Sequence, residues 1–227
     1  MESSAKEPAL IVPGLTYIPG YVSRDDPSRL LAEVDAQPSQ SLRDRPRKLP
    51  MIDPRLHILL LALEPAKGKR FWHGGPTLQG ALRGVSARQA LWRPTGARRC
   101  IWAHVLHGAY WKYAVRRRLV ALIESVVSPS TSSPSEPAAF PRSPANWPRV
   151  PAKAQEKTWA ADRTLLRTEH DNLLSVVNAI PLDHLFQIPP GAKSWTVAEL
   201  IVGIAEHDTY HTAQVQLLKR LWKGRRS

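Results

Sequence analysis

The chain has 227 residues, 43% of them hydrophobic and 22% charged, which is enough to bury the core of one ordinary domain with an appendage and too apolar for a disordered chain. Its formal net charge is +13 and its isoelectric point near 10.4. The single cysteine, Cys100, excludes an internal disulfide and fits a reducing compartment.

The opening "MESSAKEPALIVPGL" has an apolar run cut short by Pro13 and Gly14, so it does not read as a secretory signal. Residues 9 to 35 mix short β-prone runs with turns, then a short helix candidate led by Ser23, Asp25 and Asp26. A basic polar stretch from Gln37 to Lys48 reads as a linker. At Asp53 the pattern changes: an N-cap followed by an N1 proline introduces "RLHILLLAL", a buried helical stripe. "TLQGALRGV" and "SARQALW" follow as short helical pieces, the second opening with Ser86 and Gln89 at capping-box spacing.

A long helix is predicted from Ile101 to about Ser125, where Ile101, Val105, Val115, Leu119 and Leu122 return at helical spacing. The 27 residues from Ser125 to Pro151 hold seven prolines and seven serines, too many for regular structure, and read as an extended or disordered loop. Another helix is expected from about Trp159 to Ile180, ended by Pro181. The last runs from the box Thr196 to Glu199 as far as about Trp222. Four long helices without a convincing strand make the fold class all-α, an up-and-down four-helix bundle. The domain reading is an N-terminal extension over residues 1–42 and a bundle over 43–224 that carries the loop at 125–151.

The longest apolar run, Ile58 to Leu63, is far below the roughly 20 residues that cross a bilayer, so a cytoplasmic protein without membrane contact is expected. The positive charge comes in short clusters, at 43–48, 98–99, 116–118 and 219–226. Such a field attracts polyanions, but no nucleic-acid-binding motif accompanies it, so only weak, non-specific binding is expected.

"EHDTYHTAQVQLLKR" places His207 and His211 four residues apart on one helix face, close enough to share a metal ion. Their stripe also carries Leu200, Ile204, Val215 and Leu218, so the pair points into the bundle, where buried imidazoles require partners. The bland alternative is a pair of hydrogen-bonded core histidines. Asp208 stands where a zinc peptidase helix has glutamate, which argues against that class. A third ligand must come from another helix; the Ile101 helix offers His104 and His107, and spacing does not choose between them.

The stretches "FWHGGPTLQGALRGVSARQALWRP", "IWAHVLHGAYWKYAVRRRL", "FPRSPANW" and "AELIVGIAEHDTYHTAQVQLLKRLW" together resemble the DinB-like family, bacterial-type damage-inducible four-helix bundles related to YfiT, over about residues 50–222. The resemblance implies a divalent metal held by one histidine of the second helix and two of the fourth. In this sequence those roles fall on His107, His207 and His211, and His104 is left as an exposed or supporting residue. Residues 13–38 resemble the N-terminal leader of AlkB-like dioxygenases, but no H-x-D pair follows, so dealkylation is not implied.

Three neutral imidazoles leave an ion an open position for a water or a thiolate. The resemblance therefore implies a transferase or hydrolase acting on a small molecule, with a low-molecular-weight thiol as cosubstrate. The cofactor is one divalent metal ion, zinc or nickel ahead of manganese. Asp208 and Tyr210 are the candidate catalytic residues, with Tyr110 and Trp111 at the rim. Cys100 is read as a small buried hydrophobe. The alternative class is a non-enzymatic basic binding protein of the damage response with a structural or vestigial metal site. A homodimer is compatible with either.

Overall fold

The structure, a computed structural model, describes residues 52–97, 99–127 and 139–225, all within the unit Met51–Ser227. The expected N-terminal extension, with the stretch that resembles an AlkB-type leader and the expected linker, lies outside the described residues. So do residues 128–138 of the Pro/Ser-rich stretch.

Among the described residues the chain forms six α-helices and a 3₁₀ turn, and no strand. Helix α1 (Pro54–Leu63) starts as its sequence dictates: the Asp53 carboxylate accepts from the Arg55 N–H, and Pro54 occupies a position whose N–H has no helical partner. Two short helices follow, α2 (Leu78–Ala81) capped by Thr77 and α3 (Ala87–Leu91) capped by Ser86. Helix α4 (Ile101–Val127) runs two residues past the expected end. Helix α5 (Glu156–Asn178) starts three residues before Trp159, and the Leu182–His184 turn follows Pro181. Helix α6 (Val197–Gly224) opens with a full capping box, in which the Thr196 hydroxyl accepts from the Glu199 N–H and the Glu199 carboxylate accepts from the Thr196 N–H.

The four long helices form the bundle expected from the sequence, with α4 and α1 each packed against both α5 and α6. Side-chain bonds give their directions. Trp102, at the head of α4, donates to Asp162, near the head of α5, and Arg116 further along α4 pairs with Glu169 further along α5. These neighbours therefore run parallel. His104 and Lys112 of α4 meet His211 and Asp208 of α6 in the opposite sense, so that pair is antiparallel. Alternation of direction is thus interrupted between α4 and α5.

The core divides into two apolar layers. One gathers α2 and α3 with the start of α4, the start of α5 and the end of α6, around Trp102, Leu106, Trp159, Leu166 and Val215. The other joins α1 to the far half of α4, the end of α5 and the start of α6, around Leu119, Leu173, Val177, Val197 and Ile201. Between them the same helices bury polar groups: His104, His107, Lys112, Glu169, His170 and His211 are each at most 7% exposed. Buried polar groups are costly unless partnered, so this middle layer is where a function has to be sought.

Candidate metal centre

Helix α4 supplies His104 and His107, one turn apart, and α6 supplies His207 and His211, also one turn apart; the antiparallel packing of the two helices brings these pairs face to face. The ligand atoms of His107, His207 and His211 all lie within 4.8 Å of one another, so these three could hold a metal ion. The Nε2 of His207 is 3.0 Å from the Nε2 of His107 and 3.1 Å from the Nε2 of His211.

The outer nitrogens explain how the rings are aimed. The His107 Nδ1 is 2.6 Å from the backbone carbonyl oxygen of Asn146, which can only accept, so Nδ1 carries the proton and the Nε2 of the neutral ring keeps its lone pair. Asn146 has φ of 68°, a left-handed conformation that asparagine tolerates better than most residues. From it the carbonyl faces His107 while the side-chain oxygen accepts from the Trp111 indole N–H at 2.9 Å. The Nδ1 atoms of His104 and His211 are 2.8 Å apart, so one donates to the other.

Neutral rings meet this arrangement poorly. With Nδ1 protonated on both His107 and His211, two lone pairs face His207, whose single Nε2–H has to serve both; with the His211 Nε2 protonated instead, either two N–H groups or two lone pairs are brought together. An electron-pair acceptor placed among the three nitrogens removes the conflict, so the donor set fits a divalent cation. Charge state agrees. Burial, more than any neighbour, holds the His207 pKa down to about 4 and that of His211 to about 2, with the surrounding histidines adding to both. Burial also lowers His107, partly offset by its bond to the Asn146 carbonyl. All three imidazoles are neutral at pH 7, the form that binds metal.

Of the two expectations for His104, exposed or supporting, the structure shows the second: it is 6% exposed and backs His211. Burial holds its pKa to about 4. Asp208 turns away from the three nitrogens and pairs with Lys112 of α4, a lysine only 1% exposed. Tyr210 is 60% exposed and stands edge-on to the His211 ring, with centroids 5.0 Å apart. Trp111 is edge-on to His107 at 6.3 Å, and Tyr110 is edge-on to Trp111 at 5.7 Å. Cys100 is fully buried.

Sequence reasoning missed the cover of the site. Trp147 stacks on His107 with ring centroids 3.7 Å apart and planes 9° from parallel, and the Arg99 guanidinium lies 4.2 Å above the same indole. This segment is pinned by Arg142, which donates to the buried Asp162 carboxylate at 2.7 Å. The loop therefore forms one wall of the site. Its only sequence signal is "FPRSPANW", whose Phe140, Arg142, Asn146 and Trp147 all make these or neighbouring contacts.

No helix among the described residues is long and apolar enough to cross a membrane. Searches of curated proteins and of solved structures give no match. A family model, the DinB superfamily, matches residues 75–215. That span starts just before α2 and ends beyond His211, so it takes in the convergent histidines of both helices and the loop laid over them: the chain belongs to the DinB superfamily of metal-binding helical bundles.

Proposed function

We propose that the protein is a metal-dependent transferase or hydrolase of a small molecule, using a low-molecular-weight thiol as cosubstrate in the transfer reaction. His107, His207 and His211 hold one divalent ion, zinc or nickel ahead of manganese. The observation that carries this reading is the convergence of three neutral imidazoles in a geometry that their own protons satisfy poorly. Bound there, a divalent cation supplies Lewis acidity, enough to activate water or to keep a thiol deprotonated near neutral pH.

The chain's own residues do the rest. Asn146 fixes the tautomer and tilt of His107, and His104 does the same for His211. Trp147 covers one face of His107 and keeps bulk water from it. Tyr210 and Trp111 stand beside the rings, where an incoming molecule would meet them. Asp208 pairs through one carboxylate oxygen with Lys112 and so locks α4 to α6 next to His207.

The test is turnover with a panel of activated esters and of alkylating electrophiles plus thiol, using zinc-loaded and metal-stripped protein. Hydrolysis or thiol consumption that requires the ion and is lost in His211→Ala supports the proposal. A rate unaffected by metal removal sinks the metal-dependent reading, and no turnover above the uncatalysed rate with or without the ion leaves the non-enzymatic binding protein as the better one.

A further inference from the structure

A cleft of about 730 Å³ runs between α4 and α6 and reaches the candidate metal centre at His207. Its walls are apolar, with Trp111, Val115 and Ile204 along the floor and an exposed Trp195 at the side. Both its volume and its lining are those of a small-molecule site. Arg118 lies seven residues beyond Trp111 on α4, so the cleft is at least about 10 Å long.

The two ends differ in charge. Glu206 stands at the His207 end. At the far end are Arg118 and Lys193. Arg118 donates to the carbonyl oxygens of Gly191 and Ala114, which are neutral acceptors. Glu199 also lines the cleft, with its carboxylate held in the Thr196 cap, so this end carries two cations against one carboxylate. Lys193 is exposed, on a left-handed backbone with φ of 57° that an L side chain rarely adopts.

A second observation concerns Gly203, which lines this cleft from the middle of α6. Glycine is a poor helix former, and a Cβ placed here would meet nothing within 4 Å. Close packing therefore does not require it. What the missing side chain preserves is open space beside His207.

From these features we infer that the cleft binds an elongated small molecule with an apolar body and an anionic end. The anion is held at Arg118 and Lys193, and the opposite end is presented to His207. Its role as the substrate site rests on the metal-centre reading above; the binding itself does not.

The experiment is calorimetric titration of the full chain, stripped of metal, with decanoate, decan-1-ol and decyltrimethylammonium. Decanoate is expected to bind at least tenfold more tightly than the cation. Gly203→Phe should abolish binding while leaving the melting temperature at or above that of the parent. Replacing Arg118 and Lys193 together by leucine should erase the preference for the anion and keep the binding of decanol. Failure of decanoate to bind, equal binding by Gly203→Phe, or preference for the cation would overturn the inference. So would a dimer that Gly203→Phe converts to monomer, because the cleft would then be a self-association surface. Since the titration uses stripped protein, failure of the metal reading shows in metal content and failure of the cleft shows here.

Discussion

The apolar layer around Leu119, Leu173 and Ile201 and the polar layer beside it are built from the same three helices, the polar stretch coming earlier on α4 and α5 and later on α6. In the first, every buried side chain gains from leaving water. In the second, Lys112, Asp208 and four histidines give up hydration, recovered through partners most of which lie on another element of the fold. One layer holds the bundle together; the other constrains how α4 and α6 face each other and accepts a stability cost for it.

The sharpest way to break that contrast is through the Lys112 to Asp208 pair. Lys112→Ala leaves the Asp208 carboxylate, 16% exposed, without its cation and should cost about 3 kcal/mol in urea unfolding, whereas Lys112→Met combined with Asp208→Leu should recover most or all of it. In the apolar layer Leu173→Ala should cost about 2–5 kcal/mol, and no single compensating change in the polar layer should restore it. If the double change at 112 and 208 is as destabilised as Lys112→Ala, the pair is a stabilising element and the contrast fails.

Acid sharpens the comparison next. His170, packed near Lys112, Asp208 and Glu64, has its pKa lowered to about 4, by burial first and by Lys112 second, with Asp208 opposing. In the unfolded chain the ring takes up a proton below about 6.5, while in the fold it stays neutral. The contribution of His170 is therefore complete above about pH 6.5 and is lost as pH falls toward 4, by up to about 3 kcal/mol. Urea midpoints across that window should fall with acid in the parent and fall less in His170→Phe; equal slopes would show that burial of His170 does not matter.

The smallest expected effect lies at His104. With His211 donating to it, His104→Leu should weaken metal binding about 10–100-fold, and His104→Asn, which places an acceptor oxygen near the Nδ1 position, should restore much of that. Identical affinities in both variants would remove any role for His104 behind His211.

How much of this could be read from the chain depends on the range of the interaction. Asp53 with Pro54, and Thr196 with Glu199, act within four residues, and the helices begin where those residues say. The pairing of His207 with His211 is equally local. The choice between His104 and His107 was not legible from spacing, because both are buried one turn apart and differ only in distant partners, Asn146 for one and His211 for the other. The Pro/Ser composition of the loop gave no hint that Trp147 would stack on a histidine. Lys112, a single cation within "YWKYAV", offered a weak signal, but its partner 96 residues away could not be read from periodicity.

Metal analysis of the purified chain and its histidine variants tests the central claim most directly. The account predicts about one divalent ion per chain in the parent and sharp loss in His107→Ala, His207→Ala and His211→Ala, with His104→Ala still occupied at saturating metal. Full occupancy in His207→Ala or His211→Ala, or loss confined to His104→Ala, would contradict it.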